Sequence, residues 1–333
     1  MRSFILISII LFVVLFNFSC NAPPLRQAFI DKTGKKVMTF SVVFYSFSFP
    51  YFNEGLCPIQ TRGKWGYIDK RGTMVIKPQF EYTQGFSEDL AVVSIDNKYG
   101  YIDKTGAIVI KAQFDLAANF SEGLAMVMMS NKVGFIDKSG NIVVKLQFDS
   151  GYKFSEGLAR VKIDNKVGYI DKTGKFVIRP QFDEGSLFSE GLALVKIGNK
   201  YGYIDKTGKF VIKPQFDYVD SFSEGLALVR TGNMSGYIDK TGKMVIKPQF
   251  DYGDSFSEGL AFVRTTNREY YIDKTGKTVI TLNYFTKQPF LEGLVPVKVG
   301  DKFGYMDKTG NIVINPQFFD VGHFSEGLAI VLY

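Results

Sequence analysis

Two acidic positions recur along the chain at an interval of 34 residues. An aspartate in the pattern I-D-K-x-G runs from Asp31 and Asp69 to Asp307, and a glutamate in F-x-E-G-L runs from Glu54 to Glu326. Paired carboxylates are what general acid–base or glycosidic chemistry would need. A catalytic centre, however, is one asymmetric constellation, and these groups are reproduced in every copy. Turn geometry accounts for them with less, with Asp opening a turn and Glu standing near a strand entry. The rest of the chemistry is sparse. One histidine, His323, and two cysteines leave no multi-histidine or four-thiolate metal site. His323 has no nucleophile motif beside it and reads as a loop residue. Cys57 aligns with Ala91, Ala125, Ala159, Ala193 and Ala227, which marks a small core position. No calcium loop, phosphate-binding loop, G-x-S-x-G or H-E-x-x-H pattern occurs. The chain reads as a non-enzyme, with no metal and no cofactor.

A second constellation is a stripe. Lys64, Lys98, Lys132, Lys166, Lys200, Arg268 and Lys302 share one phase of the 34-residue interval, and Trp65, Tyr99, Tyr201 and Phe303 lie next to them. Facing outwards, these side chains would stack on sugars or hold anionic polymers. Facing inwards, the aromatics would pack while the cations flank a turn for solubility.

The elements that carry these residues follow from the repeat. Residues 28–333 span 306 positions, nine times 34, and internal repetition overrides a domain count taken from length. A typical unit reads GYIDKTGKFVIKPQFDYVDSFSEGLALVRTGNMS, from Gly202 to Ser235. At its start Leu192–Ile197, which precedes it, and Lys200–Asp205 have strand composition and are joined by Gly198-Asn199, a two-residue hairpin signal. Asp205-Lys206-Thr207-Gly208 fits a turn whose glycine takes positive φ. A third strand follows from Lys209 to Lys213, ended by Pro214, and a loop from Gln215 to Gly225 leads to the next unit. The expectation is a three-stranded antiparallel meander, too small to be stable alone and therefore stacked on its neighbours. Ladders of aromatics at the same interval (Phe80 to Phe318, Phe52 to Phe324, Tyr67 to Tyr305) supply the contacts.

The co-occurrence of I-D-K-x-G, P-Q-F and F-x-E-G-L in fixed phase, with Lys64-Trp65-Gly66 once in full, resembles the WG (KWG) repeat family of bacterial proteins. The resemblance covers residues 28–333 and implies an all-β repeat domain without a shared biochemical activity. The stacked units are expected to form an open or superhelical array. Nine blades exceed the usual four to eight of a propeller, and the first unit, lengthened by a four-residue insertion in its Phe-rich stretch, has the look of a cap. The alternative is a closed, propeller-like ring, because the first unit lacks the strand on which the chain ends.

The amino terminus is an address. Phe4 to Phe18 is almost wholly apolar, preceded by Arg2 and followed by Ser19-Cys20, which reads as a signal peptide over residues 1–19. The 15-residue run is shorter than the ~20 residues of a membrane span. Cys20 after a small residue resembles the lipobox of bacterial lipoproteins and implies a lipidated first mature residue, with Asn17 standing where that pattern places Leu. Residues 20–27 form a short linker. The expected location is the bacterial cell envelope, lipid-anchored, with secretion and an uncleaved anchor as alternatives. The formal charge of +7 is spread over units of near-balanced charge, so nucleic acid is not an expected partner. The expected role is a protein-interaction scaffold. The alternative is a binder of cell-wall polysaccharide or peptidoglycan through the lysine–aromatic stripe.

Overall fold

A computed structural model describes residues 26–40, 50–286 and 289–333. The expected signal peptide over residues 1–19 and Cys20 lie outside the described residues. Each unit starts as its residues dictate. In the unit around Gly202, Leu192–Ile197 pairs with Lys200–Asp205 across Gly198-Asn199, and Gly198 has φ +59°, the sense that matches the twist of the flanking strands. Elsewhere both hairpin residues take positive φ, as at Asp96-Asn97 and Asp164-Asn165, so two turn types serve one position. In the next turn Asp205 accepts hydrogen bonds from the backbone N–H of Thr207 and Lys209 at 2.9 and 3.0 Å, and Gly208 sits at φ +87°.

The third strand does not stop at Pro214. It runs Phe210–Phe216, with a bulge between the pairs Tyr203↔Ile212 and Tyr201↔Phe216. Pro214 lies in that bulge, where no ladder donor is needed. The bulge also presses backbone onto Gly202, where an added Cβ would come 2.5 Å from the Ile212 carbonyl oxygen and 2.6 Å from the Pro214 nitrogen. The one unit with Tyr270 at this position shows the converse. Its third strand, Thr278–Leu282, lacks P-Q-F and pairs Tyr270↔Thr281 in continuous register there. Glycine and bulge are lost together.

The connection after Phe216 is not all loop either. Tyr218–Val219 pairs with Arg230 and Val229 and adds a short fourth strand to the next sheet. Among the described residues there are nine sheets, eight of them four-stranded and one, Leu56–Thr61, Lys64–Asp69 and Met74–Phe80, three-stranded. We number the blades from that sheet: blade 1, 56–80; blade 2, 82–114; blade 3, 116–148; blade 4, 150–182; blade 5, 184–216; blade 6, 218–250; blade 7, 252–282; blade 8, 285–318. Blade 9 combines 320–332 with 27–40.

The array is therefore not open. Leu328–Leu332 pairs antiparallel with Gln27–Asp31, from Gln27↔Leu332 to Asp31↔Leu328, inside a sheet that also holds Lys36–Phe40 and Asp320–Val321. The first strand would otherwise present a bare edge and the last would have no sheet, and one pairing satisfies the backbone groups of both. The first unit contributes half a blade rather than a cap, and the protein is a nine-bladed β-propeller.

Two of the aromatic ladders turn out to be one device. Phe222, leading into blade 6, meets Tyr203 of blade 5 with ring centroids 4.8 Å apart, and the equivalent pair occurs at every junction, from Phe29–Phe52 to Tyr305–Phe324, at 4.8–5.0 Å. Burying one such ring contributes roughly 2 kcal/mol, and the tilted or edge-on arrangement adds about 0.5–1.5 kcal/mol per pair.

Candidate functional site

An up-and-down meander sorts its turns onto two faces. The F-x-E-G-L and I-D-K-x-G turns share one face; the two-residue hairpins and the connections after P-Q-F share the other.

On the first face the repeated glutamate stands near a strand entry, as Glu190 does two residues before Leu192–Ile197. It is the first of two positive-φ residues in a tight hairpin turn, with φ between 51° and 56° at all nine positions. That conformation costs a residue bearing a Cβ about 1–2 kcal/mol, and Asn or Gly would sit there more easily. The carboxylate explains the choice. Glu190 Oε2 accepts the backbone N–H of Gly225 in the next blade at 3.0 Å and lies 2.9 Å from Lys240 of that same blade. Burial pushes the Glu190 carboxyl up, but the Lys240 ammonium and the Gly225 N–H outweigh it and hold it below its ordinary value. Equivalent clasps stand at every junction, the last joining Glu326 to Gly55 and Lys70. The sequence signal was present: a Glu-Gly pair where a hairpin prefers Asn-Gly. The repeated aspartate keeps the turn role expected of it.

On the second face the stripe is tied down. Lys98, Lys132, Lys166 and Lys200 pair with Asp115, Asp149, Asp183 and Asp217 at 2.5–2.8 Å. The other oxygen of each aspartate accepts a hairpin N–H from the following blade, at Ser130, Asp164, Gly198 and Gly232. Lys64 stands 3.8 Å from Glu81. In blade 8 the acid's position is taken by Phe319, and Lys302 lies 3.1 Å from the centre of that ring. Arg268 is exposed, Trp65, Tyr99 and Tyr201 are half-buried, and Phe303 is buried. The stripe thus combines paired cations with aromatics that pack partly or wholly inwards.

A cavity of about 790 Å³ opens on the clasp face where blades 7, 8, 9 and 1 meet, lined by Pro50, Tyr51, Glu258, Leu291, Glu292, Val321, Gly322, His323, Phe324 and Ser325. Here the repeats depart from their own pattern. Ser189 donates its hydroxyl to the Phe222 carbonyl of the next blade at 2.9 Å, and six other units repeat this contact. Blade 8 has Leu291 in place of that serine, and its side chain is exposed, as is that of Tyr51. His323 belongs to this cavity wall rather than to an open loop. Cys57 is buried in the core beside Phe29 and Phe52, and burial pushes its thiol up, which suppresses the reactive thiolate.

A crystal structure of the eukaryotic initiation factor has a TM-score of 0.61 to this chain at 13% identity, covering 93% of this chain and 98% of that one. That likeness concerns the fold alone. Dihydro-heme d1 dehydrogenase NirN gives 0.46 at 14% identity over 79% of this chain and 72% of that one, and Hsv2p of Kluyveromyces lactis 0.43 at 9% over 67% and 91%. A comparison with curated proteins gave no match. The sequence pattern itself is matched by the description "WG containing repeat" over residues 65–99, 99–132, 134–166, 168–201, 201–234, 236–268, 271–303 and 303–333. Blades 2 to 8, most of blade 1 and the closing strand fall in the span of these stretches, and the chain belongs to the WG-repeat family.

Proposed function

We propose that this propeller is a non-enzymatic, exported module, held at the bacterial cell envelope through lipid on Cys20, that binds another protein through the cavity where its ends meet. The observation that carries this reading is Leu291, which replaces a serine that seven units keep and is exposed, as is Tyr51, on the wall of one opening that His323 also lines. The repeated carboxylates are committed to clasps and turns, which supports a binding role over a catalytic one. Exposed Tyr and Leu at the rim of an apolar cavity are the anchors that protein partners use. Affinity capture from an envelope extract with the full chain tests it. Leu291→Ser, which restores the repeated residue, and Tyr51→Ala should each remove the captured partner while leaving the melting temperature unchanged. Capture that survives both substitutions would place the docking surface elsewhere. The alternative, cell-wall polysaccharide held by the lysine–aromatic stripe, draws less support, since most of its cations are already paired with aspartates or stacked on a ring. For the anchor, Cys20→Ala should move the protein from the membrane to the soluble fraction.

A further inference from the structure

Blades 6 and 7 carry a constellation that no other junction has. Tyr218 and Tyr252 are equivalent residues 34 positions apart, 48% and 41% exposed. Asp220 and Asp254 are likewise equivalent, and the corresponding residues elsewhere are Gln84, Ala118, Tyr152, Ser186, Gln288 and Gly322. The Tyr218 hydroxyl donates to Asp220 Oδ1 at 2.7 Å and the Tyr252 hydroxyl to Asp254 Oδ1 at 2.5 Å. Each ring is thereby fixed beside a carboxylate. Between them lies a notch of about 210 Å³, whose wall also includes Arg230 and the buried Ser235. In blade 8 Phe285, 58% exposed, pairs across its sheet as Tyr252 does in blade 7, so three consecutive blades present a ring on this side.

We propose that the notch between Tyr218 and Tyr252 is a subsite for one pyranose ring of a neutral glycan, whose chain continues over Phe285. A drug-sized ligand site is ~300–1,000 Å³, and this notch is smaller, matching a single sugar ring. Ring faces carry negative quadrupole charge and attract the polarised C–H groups on the apolar face of a sugar. Its hydroxyls are both donors and acceptors. Asp220 and Asp254 accept from them and Arg230 donates to them, in the planar geometry that vicinal hydroxyls fit. Three aspartates (Asp220, Asp251 and Asp254) against one arginine line the notch, so an acidic polysaccharide would be repelled.

The subsite lies towards the hairpin face, away from the seam cavity, and involves none of the lysine stripe, so it can stand or fall independently of the protein-docking reading. Isothermal titration of the full chain with cello-, chito- and manno-oligosaccharides at millimolar concentration tests it. Binding to at least one, weakened roughly tenfold or more by Tyr218→Ala and by Tyr252→Ala, is the expected result. Tyr82→Ala, the equivalent ring in blade 2, should change nothing. Asp254→Asn, which keeps shape and folding, should also weaken binding. No binding to any of the three by a chain with a normal thermal melt overturns the proposal. So does binding that the two tyrosine substitutions leave intact, or binding confined to polygalacturonate and abolished by salt.

Discussion

The two faces of the propeller are held by different rules. On the clasp face one glutamate per blade reaches the next blade's turn N–H and its lysine, without exception around the ring. On the hairpin face the analogous lysine–aspartate ties are complete at Asp115, Asp149, Asp183 and Asp217. They then lapse: Met234 replaces the lysine opposite Asp251, and Phe319 replaces the acid opposite Lys302. Of the exposed rings, Tyr252, Phe285 and Phe319 stand where the ties have lapsed, while Tyr82, Tyr152 and Tyr218 stand beside ties that hold. Uniformity marks the ring's assembly, and the hairpin face is where the units vary.

The strongest way to break this contrast is to open the ring. Truncation after Gly327 removes the strand that pairs with Gln27–Asp31. It should abolish cooperative melting, read by calorimetry against the intact chain, because blade 9 loses its centre and both faces lose a junction. A single clasp is a finer probe. Glu190→Ala removes the link to Gly225 and Lys240 yet keeps a Cβ at positive φ, and should cost about 2 kcal/mol in urea denaturation. Glu190→Gly loses the same clasp but relieves the backbone and should recover about 1 kcal/mol of that. If glycine proves no better than alanine, the glutamate is not strained in the sense argued here.

Acid loosens the clasp face through its carboxylates. The folded-state values of Glu54, Glu156, Glu190 and Glu292 lie below the ordinary 4.5. The stability they supply is therefore present above pH 4.5 and is lost as pH falls through the lowered values. The melting temperature should drop in that window, and less steeply in Glu190→Gln. The smallest effect belongs to the hairpin face. Lys200→Ala breaks an exposed pair with Asp217 and should change stability by less than about 0.5 kcal/mol.

Much of this was legible in the sequence. Hairpin glycines, the D-K-T-G turn and the aromatic ladders each announce a local conformation, and those conformations are present. Three things were not legible, for related reasons. Pro214 removes a donor, which reads as a strand end, whereas a bulge makes the missing donor harmless. The Glu-Gly pair at Glu190 signals a tight turn, but the carboxylate's partner is a backbone N–H 35 residues away, and such a group leaves no mark on the sequence. Closure was undecided because the sequence offers the same missing strand to an open array and to a ring. Only the edge groups of Gln27–Asp31 decide it. The subsite at Tyr218 and Tyr252 was hidden by a search for what repeats, and it consists of what does not.

The composite blade also governs when the molecule can be finished. Its central pairing joins residues about 300 apart in sequence, and such non-local contacts form late and slowly. As the polypeptide is made, blades 1 to 8 can assemble in order while Gln27–Asp31 waits with an unfilled edge. At high concentration the strand that arrives first can be Leu328–Leu332 of another copy. The partition between closed monomers and strand-exchanged oligomers is then set by how crowded the chains are while they fold, and dilution during refolding is the lever that favours the monomer.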